Sequence, residues 1–530
     1  MPAEIYDVIQ IGYGPVSQSL AQMLGQQGRS VAVVERWQER YPLPRAVCID
    51  HELYRVLSAN GMGEALAGLA QPGPVYQWFN ADWKELLSIP WSAQSISGGP
   101  EVNFVHQPTL EKALDAAVAL QSTVDVQLGW DAIAIAQDQD GVTVTLRELE
   151  GTKTRELRGR YLVGCDGANS LVRETIGGVQ EDRGFEADWL VIDVLLKEGV
   201  TIEKLGIPAA GQYCCPKQPT TIVPAGIDGD RVYRRWEFMR LPGVSVEELE
   251  REEQVWEFLK PWAGPDDIEL VRHKVYNFRS LMAAKWRDGR FLIAGDAAHV
   301  MPPFAGQGMC SGIRDAWNLA WKLGMVLDGT ADDALLDTYQ VERHPHVSQL
   351  IDMSIFLGKI ICLPDAKAAA ERDAAFANGT HPPFPAFPQL SAGLLLRSAD
   401  GSHANSAGAL SPHVSVSQGD QRGRFDDMIG NGFVVIMRDD VAPLGADQQA
   451  GLDAIGGHVA VIGASAWRDL DGRLTGLMEA KGWDAFVVRP DFYIYGGGTA
   501  AQLPAIVDCL FADLTRAGVR VPANVNGEPS

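Results

Sequence analysis

Residues 291–323 read FLIAGDAAHVMPPFAGQGMCSGIRDAWNLAWKL. FLIA is a short apolar run of the kind that forms a buried strand. It closes on Gly295-Asp296, and a loop with Pro302, Pro303, Gly306 and Gly308 follows. A helix then starts near Met309, with Ile313, Trp317, Ala320, Trp321 and Leu323 at helical spacing. A carboxylate thus stands at a strand end, and a glycine loop feeds the N-terminus of a buried helix. Such an N-terminus carries unpaired N–H groups and partial positive charge, which suits an anion. The aspartate suits the hydroxyls of a sugar-like chain.

The N-terminus holds a second strand–loop–helix. Residues 5–12 (IYDVIQIG) read as a buried strand, followed by Gly12, Gly14, Pro15, Val16 and Ser17. A helix with Leu20, Ala21 and Leu24 on one face ends at Gly28, and residues 31–34 (VAVV) lead into Glu35-Arg36. Strand, glycine turn, helix, strand and acidic residue follow at the spacing of a dinucleotide fold. The glycines let backbone approach a pyrophosphate, and Glu35 would accept hydrogen bonds from ribose hydroxyls. Ser17 stands where a third glycine is usual. A third motif comes at residues 160–170, where RYLVG runs into Cys165-Asp166-Gly167-Ala168-Asn169-Ser170, with Arg173 just beyond.

Length and charge narrow the function. The chain has 530 residues, enough for roughly three domains. Its net charge of −23 argues against nucleic acid and against an anionic membrane surface. No apolar run reaches transmembrane length and no basic leader is visible. The 7 cysteines form no CxxC pair, so reduced thiols in a cytoplasmic protein without a zinc site are expected. Between 181 and 289 strand-like runs dominate, at residues 189–195, 212–223, 231–239 and 271–278. A proline-rich stretch, residues 378–388 (NGTHPPFPAFP), precedes a small α/β region with strands at 433–437, 458–462 and 485–488.

The three motifs in this order resemble the class A flavin-dependent aromatic monooxygenases, the para-hydroxybenzoate hydroxylase and phenol hydroxylase superfamily. The 3-(3-hydroxyphenyl)propionate hydroxylase branch is the closer fit, through Tyr41-Pro42-Leu43-Pro44-Arg45-Ala46, residues 189–193 (WLVID) and residues 489–496 (RPDFYIYG). The resemblance implies an α/β chain: a Rossmann-like FAD-binding domain at 1–180 and 290–375, and an inserted mixed β-sheet substrate domain at 181–289. A proline-rich linker at 376–389 and a thioredoxin-like domain at 390–530 complete it. FAD and NAD(P)H are the implied cofactors, and a small aromatic substrate and O2 the partners; a homodimer is left open. Gly12, Gly14, Pro15, Val16, Glu35, Arg36, Arg45, Gln107, Asp166, Arg173, Asp296, Pro303, Gly306, Gly308 and Met309 match cofactor-binding positions.

The implied reaction is ortho- or para-hydroxylation of a phenol through a flavin C4a-hydroperoxide. A hydroxyphenylpropionate-like single ring is the expected substrate, and a polycyclic, polyketide-type ring the alternative. A non-catalytic flavin-binding protein is the remaining rival, since the WxWxIP motif of flavin halogenases is absent. A phenol is activated by losing its proton, so a base should lie near it. The family's acid after the Arg-Ala pair is replaced by Val47. Asp50 and His51, which follow soon after, and Tyr276, which resembles the family's substrate-side tyrosine, are the catalytic candidates. Tyr213, Tyr233, Trp236 and Tyr276 are candidates for holding the ring, and Arg234, Arg235 and Lys274 for pairing a substrate carboxylate.

Overall fold

The computed structural model describes residues 5–40, 43–404, 406–463 and 466–522. Tyr41 and Pro42 of the fragment quoted above lie outside the described residues. The chain forms two compact units, one of Met1–Gln94, Pro100–Ile313 and Ser348–Phe387, the other of Ser95–Gly99, Arg314–Val347 and Pro388–Ser530.

The first unit holds two large sheets. One is eight-stranded, and its core is parallel: Phe291–Ile293, Thr154–Gly164, Ile5–Ile11, Val31–Glu35 and Val124–Leu128, in that spatial order. Val8, Ile9, Val31, Ala32 and Val33 are fully buried, as expected of parallel strands covered on both faces. The strand order turns around at Ile5–Ile11, whose neighbours lie on either side of it. Ligands of open parallel sheets settle at the carboxyl end of such a strand, and Gly12 stands there.

The second sheet is also eight-stranded and mostly antiparallel, with Ile268–Ala283, Gln180–Leu196, Arg231–Met239, Thr220–Asp228 and Ala210–Tyr213 as successive neighbours. It is wider than the expected insertion, because Val75–Phe79 and Glu85–Pro90 extend it beyond Ala210–Tyr213. Side chains alternate between its faces. Leu190, Ile192, Val194, Ile222, Trp236 and Phe238 pack with Val255 and Leu259 of helix Glu252–Leu259. Trp189, Val191, Asp193, Arg235 and Glu237 alternate with them and take the other face.

The second unit is built on a seven-stranded sheet. Val434–Arg438 runs parallel to His458–Ile462 and antiparallel to Ala485–Val488, which pairs with Ile494–Gly498. With helices Arg473–Lys481 and Leu503–Arg516 this is a thioredoxin-like arrangement. Its seams include a buried ion network. The Glu342 carboxylate accepts from Lys322 Nζ at 2.6 Å, Arg489 Nη2 at 2.7 Å and Asn318 Nδ2 at 2.8 Å. Arg489 also pairs with Asp491 at 2.8 Å. Lys322 and Asn318 lie on helix Gly308–Leu327. The RPD of residues 489–491 therefore acts in packing.

Removing one member of a fully desolvated ion network leaves the others uncompensated, at about 3–5 kcal/mol. Glu342→Gln is expected to lower the unfolding free energy by about that amount in a urea titration. A change within about 1 kcal/mol would mean that the network contributes no more than a surface pair.

Candidate active site

The glycine turn is shaped by close backbone contact. Gly12 has φ +96°, and a Cβ there would lie 2.4 Å from the Cys165 carbonyl oxygen, so only glycine fits. Helix Pro15–Gln26 starts directly afterwards, with Gly14 at its N-cap and no side-chain cap on its first N–H groups. A Cβ on Gly14 would meet nothing within 4 Å, because Gly14 borders open cavity. Ser17 is buried and pairs with the Gln10 amide at 2.6 Å.

Two cavities meet at this turn. Both are bordered by Gly14, Pro15, Arg45, Gln107, Cys165 and Gly167. The smaller, about 260 Å³, contains Glu35, Arg36, Asp131 and Asp166 in its wall. Glu35 is fixed there by accepting from Tyr13 N at 2.9 Å and Trp37 N at 3.0 Å. Asp166 Oδ2 accepts from Val172 N at 3.3 Å, while its buried Oδ1 has no partner among the described residues. Burial pushes the Asp166 carboxyl pKa up. A buried orphan acceptor facing a polar cavity calls for a donor from a ligand.

The larger cavity, about 390 Å³, is bordered by Val16, Asp296, Pro303, Gly306, Gly308 and Met309 on one side. Protein surrounds Asp296, and this burial pushes its pKa up, with His299 and Arg45 pulling it down. Its side chain is nonetheless accessible, because it opens onto the cavity. Aromatic rings form much of the remaining wall: Tyr76, Trp91, Phe104, Phe278 and Phe304.

The loop carrying Arg45 is held from two directions. Gln107 Oε1 accepts from Arg45 N at 2.8 Å and Ala46 N at 2.5 Å, and its amide is oriented by donating to Glu111 at 2.6 Å. From the sheet, Arg235 donates to the carbonyls of Arg45 at 2.6 Å and Pro44 at 3.1 Å. The same guanidinium pairs with Asp193 at 2.7 Å, and Arg272 braces that carboxylate at 2.7 Å.

The expected site residues fall into two groups. Gly14, Pro15, Val16, Glu35, Arg36, Arg45, Gln107, Asp166, Asp296, Pro303, Gly306, Gly308 and Met309 border one or both cavities. Arg173 borders neither: its guanidinium donates to Ala168 O at 2.8 Å and Ala297 O at 3.3 Å, tying two motif loops together. Asp50 reaches the larger cavity and also caps helix His51–Leu57 by accepting from Leu53 N at 2.9 Å. His51 does not border the cavity and lies 3.4 Å from Glu101.

The aromatic candidates on the sheet lie elsewhere. Trp236 is on the opposite face, in the core under helix Glu252–Leu259. Tyr213 is on the far side from Gln212, stacked on Trp83 at 4.4 Å. Tyr233 stacks on His106 at 4.1 Å. The Tyr276 hydroxyl accepts from Arg272 at 2.6 Å, and Phe278 takes the cavity position two residues on. The cations proposed for a carboxylate are engaged too. Arg234 donates to Pro208 and Ala209 carbonyls, Arg235 pairs with Asp193, and Lys274 pairs with Glu250 at 2.7 Å. The polar groups that do face the cavity from the sheet are Gln212, Thr221, Arg235 and Glu237. Strand periodicity marks 235 and 237 as one face but does not say which face meets the cavity.

A model of the FAD binding domain family matches residues 5–354. The chain belongs to this family. A second model, of the HcaD C-terminal domain, matches residues 408–513. A probable NADH-specific resorcinol 4-hydroxylase of Rhodococcus jostii (strain RHA1) is 36% identical, over 98% of this chain and 97% of the relative. A 3-(3-hydroxy-phenyl)propionate/3-hydroxycinnamic acid hydroxylase of Mycobacterium sp. (strain KMS) is 32% identical, over 96% and 91%. Among solved structures, the flavin-dependent monooxygenase PieE superposes with TM-score 0.81 at 20% identity, covering 97% of this chain and 100% of that one. Aklavinone-11 hydroxylase gives 0.76 at 24%, over 97% and 100%. These two likenesses are of fold. The chain is an FAD-dependent aromatic hydroxylase that draws on NAD(P)H and O2.

The residues fit the cofactor. The polar cavity with Glu35 and the orphan Asp166 oxygen suits the adenosine half, the glycine turn suits the pyrophosphate, and Asp296 suits the ribityl hydroxyls. Asp296→Ala is expected to weaken FAD binding by about one to two decades, the equivalent of about 1.5–3 kcal/mol for a charge-assisted hydrogen bond. Titration of the apoprotein with FAD measures this. Equal affinity in the variant would remove Asp296 from the cofactor site.

Proposed function

We propose that the substrate is a monocyclic phenol, hydroxylated ortho or para to its hydroxyl group. The cavity carries this reading: about 390 Å³, walled by aromatic side chains with a few polar groups on one strand face, has to receive both the flavin ring and the substrate. That volume suits one ring better than a fused polycycle. The two relatives named above support the same class, since their names specify single-ring phenols. Bound FAD would supply the activation of O2, with two electrons from NAD(P)H; one oxygen atom enters the ring and the other leaves as water.

The protein's own residues supply shelter and position. Trp91, Phe104, Phe278 and Phe304 keep water from the reacting face. Gln107 and Arg235 fix the Arg45 loop that closes one side of the cavity. NADH is the proposed donor, because the Rhodococcus relative is named as NADH-specific. Among the described residues no single helix is long and apolar enough to cross a membrane. With its acidic charge and thiols free of disulfides, a cytoplasmic location is proposed.

NADH oxidation by the FAD-loaded protein is expected to accelerate with resorcinol or 3-(3-hydroxyphenyl)propionate. Isotopic O2 should leave one labelled atom in the product. Acceleration by a polycyclic phenol alone would select the larger substrate class, and acceleration by no phenol would refute the proposal.

A further inference from the structure

Glu237 is a buried carboxylate with no hydrogen-bond partner among the described residues. It borders the larger cavity from strand Arg231–Met239, with its side chain 10% exposed. Arg235 Nη1 lies 3.7 Å away, beyond hydrogen-bond distance. That guanidinium is occupied by Asp193 and by the carbonyls of Pro44 and Arg45. Asp193, which pairs across the strands with Arg235, is by contrast saturated by Arg235 and Arg272. An acid kept in an apolar cavity without a donor is costly unless a ligand supplies one.

The groups around Glu237 decide what that ligand can be. Arg235, Asp193, Arg272, Cys48 and Tyr76 are the charged or titratable side chains that act on it. Burial pushes its pKa up, Arg235 and Arg272 pull it down, and Asp193 pushes it up again. Among the described residues the cavity wall carries three acids, Asp50, Glu237 and Asp296, against two cations, Arg45 and Arg235. Arg45 stands where the two cavities join, at the cofactor end, and Arg235 is held by Asp193. A substrate carboxylate would meet an acid here, whereas a hydroxyl would meet an acceptor.

We propose that Glu237 accepts the hydrogen bond and then the proton of the substrate's phenolic hydroxyl, and that the preferred substrate is a neutral phenol such as a dihydroxybenzene. The phenolic O–H bond breaks, a carboxyl O–H bond forms, and the ring is left as an electron-rich phenolate. This deepens the hydroxylase reading above and rests on it. Of the catalytic candidates read from the sequence, Asp50 also borders this cavity, but its carboxylate already caps a helix.

The test uses FAD-loaded wild type, Glu237→Gln, Glu237→Asp and Asp50→Asn, with resorcinol and 3-(3-hydroxyphenyl)propionate as probes. Glu237→Gln should bind FAD as wild type does. It should lose at least about a hundredfold in kcat/KM for resorcinol. The wild-type profile should fall as pH drops through a value above the ordinary glutamate range of about 4.3, and this acid limb should vanish in Glu237→Gln. Glu237→Asp, which keeps a carboxylate, should recover at least about tenfold over Glu237→Gln. Wild type should favour resorcinol over the propionate. A Glu237→Gln enzyme with wild-type rate and acid limb overturns the assignment, as does loss of the limb in Asp50→Asn alone. Preference for the propionate overturns the neutral-substrate part. These outcomes leave the hydroxylase reading standing, whereas a wild type that hydroxylates no phenol sinks both.

Discussion

Arg235 joins the substrate sheet to the nucleotide fold. One guanidinium reaches Asp193 on the neighbouring strand and the carbonyls of Pro44 and Arg45 on the loop that borders both cavities. Gln107, at the start of helix Gln107–Ala119, holds the N–H groups of the same loop from the other side. A planar, forked donor is suited to this, because it serves a carboxylate and two carbonyls at fixed angles. Burying Arg235, Asp193 and Arg272 carries a desolvation cost, so their value is in position more than in net stability.

The clamp also shapes the chemistry available in the cavity. Arg235 faces it yet is occupied by Asp193, so its charge is not open to a substrate anion. Glu237, two residues along the same face, is left as the acid that a ligand must satisfy. Arg173 has the comparable job on the cofactor side, linking the loop after Gly164 to the loop around Ala297 through backbone carbonyls. In both places an arginine read from the sequence as a ligand contact donates to backbone carbonyls.

What could be read from the sequence was local. Gly12, Gly14 and Glu35 lie within one strand–turn–helix–strand segment, so spacing alone places them, and Asp296 with Met309 lies within another. The C-terminal strands at 434–438, 458–462 and 485–488 were legible for the same reason, as short apolar runs between polar turns. The substrate wall was not, because it depends on which strand face meets the cavity. In strand Arg231–Met239, Trp236 is the conspicuous aromatic, but it belongs to the helix-covered face, and Arg235 and Glu237 belong to the cavity. Bulges between Asp193 and Val194 and between Pro224 and Ile227 shift register further along. Tyr76, Trp91 and Phe104 come from segments far from the motifs. The alternation in residues 75–79 (VYQWF) is the pattern that could have placed Tyr76 on a strand.

The Arg235 fork holds the Arg45 loop against the cofactor cavity. Arg235→Lys tests it most directly, since lysine keeps the charge beside Asp193 but cannot make the remaining bonds at once. The quantity to measure is the share of NADH oxidised that appears as hydroxylated phenol rather than hydrogen peroxide, together with FAD affinity. A shift toward peroxide is expected, with FAD binding weakened by roughly tenfold, the effect of one lost hydrogen bond. Wild-type coupling and wild-type FAD affinity in Arg235→Lys would contradict it.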